Sequence, residues 1–354
     1  MKNPKNWKSA DNVFKKFDIN EDGVLDEQEF ILLCKELFEE EIIDNKWRVE
    51  DIFKKLHTNE ESGLKGKDWD RCFKKWIQPI VNPVNVLVVV DVQNDFIHGS
   101  LALHNCKSKH DGYEVIEPIN NILSKVDWNK VVYTLDYHPE NHISFYENLH
   151  LRELHPTSQI KQEKAVLYDK VTFLKPHVKQ TLWPKHCVMG TPGSELHQDL
   201  HILPKSIQIC KGQNPDVEAY SVFTRDNEEA CSEMESVLSK IQATDLYVCG
   251  LALDVCVKET CLDALKLGYK VILIEDCCRG IDNDEIIKAK NAIVKNGGLI
   301  IKSEEVYTFV NDWKRSLILA HHAANKLSEK ISSQSSSNLF SIIMYRSCTT
   351  SPNP

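Results

Sequence analysis

Long apolar runs are missing from this chain. Nowhere in its 354 residues does a hydrophobic stretch approach the roughly 20 residues that span a bilayer. The opening, MKNPKNWKSADN, lacks the apolar core of a secretory leader. Positive charge is also short: 43 Lys and Arg face 52 Asp and Glu, a formal net charge of −9. With no basic stripe and no RNA-binding signature, nucleic acid and anionic membrane are not expected as partners. Regular cysteine spacing is absent too. The 12 cysteines form no CxxC pair suited to structural zinc, so they read as reduced thiols and not as a disulfide framework. These absences predict a cytoplasmic chain, with nuclear access open to it. Its length exceeds the usual single-domain size, so two domains are expected, and 42% apolar with 27% charged residues is ordinary globular composition.

The chain is organised around DLYVCGLALDVCVKETCLDALKLG, Asp245 to Gly268. Leu246, Tyr247 and Val248 suit a strand covered on both faces, and Val257, Cys261, Ala264 and Leu265 recur at helical spacing. Gly250 breaks the strand and Gly268 ends the helix. Asp254 is placed to cap that helix, leaving Cys256 in its first turn, where unpaired N–H groups and the helix dipole lower a thiol pKa. Such a cysteine can attack a carbonyl; the plainer reading is a small buried residue.

Residues 1–80 form a separate, all-α unit. DINEDGVLDEQE places Asp18, Asn20 and Asp22 at the first three ligand positions of an EF-hand loop, with the Val24 carbonyl, Asp26 and the closing Glu29 after them. Calcium takes six to eight oxygens, Gly23 permits the sharp turn, and Glu29 can give two oxygens at once. A second hand pairs with the first, but its loop HTNEESGLKGKD puts His57 where the first carboxylate belongs, Gly63 one place late, and Asp68 too short to close the loop. It reads as a structural partner that binds no calcium. Pro79 and Pro83 mark a linker.

From residue 84 to about 325 the pattern becomes strands alternating with helices. Apolar runs at Val84–Val90, Val131–Leu135, Ile207–Cys210, Leu246–Val248, Val271–Ile274 and Leu299–Ile301 alternate with amphipathic stretches such as Val115–Leu123 and Ile286–Val294. The predicted fold class is α/β: a doubly wound, mostly parallel six-stranded sheet with helices on both faces, preceded by the small EF-hand domain. The Ser-rich tail, 326–354, is expected to be disordered.

Ligands of such sheets bind at the carboxyl ends of the strands. Asp91, Asp136, Lys211 and Cys256 each follow one of the first four strands. An Asp that ends a strand is commonly a turn residue, but four useful groups at one edge argue for an active site. Asp91 as base and Lys211 as cation beside a Cys256 thiolate suit amide hydrolysis, with backbone N–H groups of the Gly250–Cys256 turn facing the oxyanion. Asp136 and His138, two apart in an extended DYH triplet, can share one ion. His186 in LWPKHC is the third ligand by local character, and His142 and Ser144 are further candidates. Asp with two or three His suits zinc best, with iron or manganese as alternatives. Cys187 reads as core, and His104, His110, His150, His155, His197 and His201 read as surface.

DVQNDF, DYHPENHISF, LWPKHC with TPGSELH, KG with AYS, and GLALDVCVKET together resemble the isochorismatase-like cysteine hydrolases and, within them, the nicotinamidases. The first unit further resembles that of calcium-hand-bearing nicotinamidases of invertebrate animals. The resemblance implies an Asp91, Lys211, Cys256 triad and a metal on Asp136, His138 and His186 that grips the substrate's ring nitrogen. It also implies a cis Leu251–Ala252 peptide, an oxyanion hole from the Ala252 and Cys256 N–H groups, and ring walls from Phe96, Trp183 and Tyr220. The implied activity is hydrolysis of nicotinamide, and of pyrazinamide-like analogues, within NAD salvage. His104–Gly112 and Leu149–Tyr168 depart from the pattern as polar insertions at the pocket mouth, and Val255 is apolar where some relatives carry an aromatic. A hydrolase of another small amide and an inert calcium-binding interaction protein are the competing readings. Oligomeric state leaves no signal in the sequence.

Overall fold

The structure, a computed structural model, describes residues 7–57, 63–225 and 231–347, with side chains described as far as 333. It divides into two compact units: Val84–Trp313, and Met1–Pro83 together with Lys314–Pro354.

The first of these, the sheet unit, carries all six expected strands: β1 (Asn85–Val90), β2 (Lys130–Asp136), β5 (Ile207–Lys211), β6 (Asp245–Gly250), β7 (Lys270–Cys278) and β8 (Leu299–Ile301). They form one parallel sheet in the order β5-β2-β1-β6-β7-β8. Its middle strand, NVLVVV, is buried along its whole length, which only a run without polar alternation can satisfy. Helices α5 (Ile116–Lys125), α6 (Glu233–Lys240), α7 (Lys258–Leu267), α8 (Asn283–Lys295) and α9 (Ser303–Val310) flank it. The strand order reverses between β1 and β6, so the crevice lies at their carboxyl ends. Register aligns those ends: Val90 faces Thr134 on one side and Gly250 on the other, and Asp136 faces Lys211.

A two-stranded antiparallel hairpin, β3 (Lys170–Thr172) with β4 (Lys179–Thr181), was not foreseen. It joins the Leu149–Tyr168 insertion, which is not simply a polar loop: Ile143, Leu149, Ala165, Val171, Phe173 and Leu182 close over a small core of their own. The helix after β6 also begins differently from expectation. Leu253–Val257 forms a π turn and α7 starts at Lys258, so Cys256 precedes the regular helix. Asp254 does not cap it, because the capping position falls two residues earlier, at Ala252. Its carboxylate instead accepts from the Ile281 and Asp282 N–H groups, 2.9 Å each.

The helical unit contains α1 (Ala10–Phe17), α2 (Glu27–Phe38), α3 (Lys46–Leu56) and α4 (Gly66–Cys72), the last continuing through a π turn to Val81. Leu25 and Leu64, one from each interhelical loop, exchange N–H···O bonds of 3.0 and 2.9 Å in a short antiparallel bridge. The expected sheet domain reached 325, with a disordered tail from 326. In the structure Lys314 onward belongs to the helical unit, and Leu317–Ser347 is one helix, α10. The reason is apolar spacing: Leu317, Ala320 and Ala324 recur on one face and are buried, and neither Pro nor Gly interrupts the run. Residues 58–62 of the second loop and the 348–354 end of the tail lie outside the described residues.

Candidate active site

Four strand ends bring their side chains into one buried cluster. Lys211 Nζ lies 2.9 Å from Asp91 Oδ2 and 3.4 Å from Cys256 Sγ, and it also donates to Asp136 Oδ1. Asp91 adopts a positive φ of 50° just past β1, and Thr134 Oγ1 donates to its Oδ1 at 2.6 Å. Asp91 Oδ2 is paired with the Lys211 ammonium, and the Asp91 carboxylate lies within 4.8 Å of Cys256 Sγ, placed to accept from the thiol.

Electrostatics assigns protonation. Burial alone would pull the Lys211 ammonium down, but Asp136 and then Asp91 overcome it and hold Lys211 well above ordinary lysine. Burial likewise works against the Asp136 carboxylate, yet Lys211 and His138 keep it well below the carboxylate range. For Asp91 burial wins over Lys211 and the pKa rises. Burial pushes the Cys256 thiol well above the ordinary range, the two carboxylates add to this, and Lys211 only partly offsets it. That overturns the expectation of a dipole-lowered thiol: complete burial outweighs the helix end, and the resting group is S–H with Asp91 beside it.

Beside the triad, the Nε2 atoms of His138 and His186 each lie 3.7 Å from Asp136 Oδ2. Their Nδ1 atoms are committed elsewhere, to Gly212 O at 2.9 Å and Pro184 O at 2.7 Å, which leaves both Nε2 atoms free to point inward. One carboxylate oxygen and two oriented imidazoles form a donor set that fits a divalent ion. Gly212 is required here: a Cβ on it would stand 2.3 Å from His138 Cε1. His142 also contacts this group, its ring stacked 4.2 Å from His138. Its Nδ1 is bonded to Ser144 Oγ at 2.7 Å and its Nε2 to Val217 O at 3.2 Å, and with His138 and Glu218 it forms a second group of possible metal donors. Burial, then His138, pushes the His142 pKa down to about 3.

Phe96, Trp183 and Tyr220 line a narrow pocket together with Asp136, His186 and Cys256. Trp183 Nε1 donates to the Tyr220 hydroxyl at 2.9 Å. Ala252 and Val255 are on the same wall, and the Leu251–Ala252 peptide is cis. A cavity of about 490 Å³ shares Trp183, Tyr220 and Val255 with this pocket and is bordered by Cys106 and Tyr168, one from each insertion. Cys187 is core, as expected, whereas His197 is buried and not on the surface, in edge contact with His98 and Tyr113.

Gln93 escaped sequence reasoning. Fully buried, it donates to Asp136 O and Ser194 O and accepts from the Asp136 N–H, at 2.7 to 2.8 Å, clamping the backbone that carries Asp136. A glutamine three residues past a buried strand, inside QNDF, was the available signal.

The Isochorismatase domain family matches residues 85–305. The chain belongs to the isochorismatase family. It is 36% identical over 208 residues to a Saccharomyces cerevisiae nicotinamidase, covering 57% of this chain and 90% of the relative. An Escherichia coli nicotinamidase is 34% identical over 206 residues, 56% of this chain and 85% of that one. The solved structure of an Acinetobacter baumanii nicotinamidase and pyrazinamidase superposes with a TM-score of 0.53 at 35% identity, covering 63% of this chain and 98% of its own.

In the helical unit, the loop after α1 gathers carboxylates. Glu29 is buried, with Oε1 accepting from Ile19 N at 2.8 Å and Oε2 from Asp26 N at 3.1 Å. Asp18 Oδ2 accepts from Gly23 N at 3.1 Å, while its Oδ1 is buried without a partner. In the first turn of α4 the Asp68 carboxylate is already taken by Arg71 at 2.6 Å. No described helix is long and apolar enough to cross a membrane.

Proposed function

We propose that this chain is a nicotinamidase, hydrolysing nicotinamide to nicotinate and ammonia through a Cys256 thioester and feeding NAD salvage. It is an amidohydrolase. The observation that carries the reading is the meeting of Asp91, Lys211 and Cys256 from three strand ends beside the Asp136, His138 and His186 donor set.

Asp91 accepts the Sγ proton as sulfur attacks the amide carbon, and Lys211 balances the negative charge that then sits on the cluster. The Ala252 and Cys256 N–H groups receive the oxyanion. Asp91 returns the proton to the nitrogen as the C–N bond breaks, because an amide anion is a poor leaving group. Ammonia leaves, water attacks the thioester with Asp91 as base, and nicotinate is released with the thiol restored. Phe96, Trp183 and Tyr220 wall the ring. Asp136, His138 and His186 would hold zinc, or iron or manganese, which when bound supplies a Lewis-acidic anchor for the pyridine nitrogen. Pyrazinamide-like analogues present the same nitrogen.

The helical unit is an EF-hand pair whose first loop binds calcium through Asp18, Asn20, Asp22, Val24, Asp26 and Glu29. The partnerless buried oxygen of Asp18 supports this, and the Arg71 contact on Asp68 supports a silent second loop. The eleven described cysteines are all free, which suits the reducing cytoplasm, with nuclear access open.

The test is ammonia release from nicotinamide. Wild type turns over, and Cys256→Ala loses about 10⁴-fold or more, as nucleophile removals do. Wild type without ammonia release, at saturating zinc, would sink the enzymatic reading.

A further inference from the structure

We propose that the paired hands serve as a receptor for the chain's own C-terminal helix, and that calcium in the 18–29 loop fastens the helix in place. The inference rests on the calcium reading above.

The helix is held by directed contacts as well as apolar burial. Leu317 N donates to Glu41 Oε2 at 2.8 Å, so a carboxylate from the turn between α2 and α3 sits at the start of α10. Arg315 Nε donates to Ile80 O at 2.7 Å. One turn into the helix, Trp76 Nε1 donates to Ala320 O at 2.8 Å. His321 is engaged on both nitrogens, by Asp51 Oδ2 at 2.6 Å and Arg48 Nη1 at 3.2 Å, both on α3. Leu317, Leu319, Ala320 and Ala324 are buried along the contact. The direct contacts come from the second hand and from the turn that leads into it, and the first hand reaches the helix through Trp76, against which Phe30 and Phe38 of α2 pack.

The coupling runs through adjacent residues. Glu29, which closes the calcium loop, is followed by Phe30. The Phe30 ring packs 5.6 Å from that of Trp76, whose N–H holds the Ala320 carbonyl. Without the ion, Asp18, Asp22, Asp26 and Glu29 crowd four carboxylates into one short loop, and their repulsion works against the position of α2 that seats Phe30 on Trp76. With calcium, Glu29 is drawn to the loop centre and that seat is fixed. Coupling of this kind is reciprocal, so the docked helix must also tighten calcium.

The decisive measurement is hydrogen exchange of the full chain over residues 317–331, in 1 mM calcium and in calcium-free buffer with free zinc held constant, alongside calcium binding by calorimetry. We expect exchange in the helix to speed up by about 5-fold or more when calcium is removed. Trp76→Phe, which keeps an aromatic ring, though a smaller one, and deletes the N–H, should weaken calcium binding about 3-fold or more by the reciprocal route. Calcium that binds without altering exchange overturns the fastening alone. A chain that binds no calcium overturns both the fastening and the calcium reading. Should Trp76→Phe fail to fold, the wild-type exchange comparison still decides.

Discussion

The strand-end site and the 18–29 loop draw on the same carboxylate chemistry and are assembled in opposite ways. At the strand ends, Lys211 meets Asp136 across 75 positions of sequence and Cys256 across 45, and every member is buried. In the loop, the six proposed calcium donors fall within one segment, and Asn20, Asp22 and Val24 are not buried. The sheet supplies the first geometry through register and packing before any ligand arrives. The second is a chain of local turns, which the proposed calcium would complete. Charge therefore has different consequences in the two places: internal balance at the strand ends, and, on the proposed reading, attraction for an outside cation in the loop.

Lys211→Met breaks the comparison at its strongest point. It leaves Asp91 and Asp136 buried together with no cation, and loss of one partner of a buried pair costs about 3–5 kcal/mol. Chemical denaturation should show that loss, and ammonia release should fall below detection. Stability unchanged within 1 kcal/mol would mean that the cluster does not depend on the lysine for balance.

Gly212→Ala tests whether packing alone aims the proposed ion ligands. The added methyl would sit 2.3 Å from His138 Cε1, at a φ of 71° that already disfavours any side chain. His138 must swing, so zinc affinity should drop about 10- to 100-fold while the sheet unfolds at nearly its usual denaturant concentration. Full zinc affinity would show that the imidazole is not held by its contact with Gly212.

Acidity sharpens the same contrast. Burial raises Asp91, and only its ionised form can take the thiol proton. The acid limb of kcat/KM at saturating zinc should therefore lie above 3.8, the ordinary value for this carboxyl, with activity lost as pH falls through the raised pKa. A limb at or below that value would remove Asp91 from the role of base.

The two regions also differed in how much of them could be read in advance. The loop motif could be proposed from sequence because its candidate donors are contiguous. The sheet was legible because NVLVVV and its companions are unbroken apolar runs, and the order of Asp91, Asp136, Lys211 and Cys256 behind them fixed the candidate edge. Asp254 was misjudged because capping was inferred from spacing, whereas the turn before α7 opens two residues early and frees the carboxylate to hold the Ile281 loop. The Cys256 thiol was misjudged for a related reason: helix position is visible in sequence, but complete burial is not. The hydrogen bonds of the His142 nitrogens to Ser144 and Val217 leave no trace in its motif, because Val217 lies 75 residues away. The α10 helix was hidden by serine composition, since the apolar face of Leu317, Ala320 and Ala324 lies just ahead of the Ser-rich part.

The smallest expected effect concerns traffic between the two chemistries. A site whose parts are already balanced by Asp91, Asp136 and Lys211 gains little from an ion bound elsewhere, because a ligand shifts an equilibrium only by its differential affinity for the two states. Calcium should order the 18–29 loop and α10, yet change ammonia release by less than about 10-fold, or roughly 1.4 kcal/mol in the barrier. The measurement compares turnover in calcium with turnover in chelator, zinc being restored in both, since chelators strip that ion as well. A larger change would mean that the strand-end geometry has a second arrangement and that the loop selects between them.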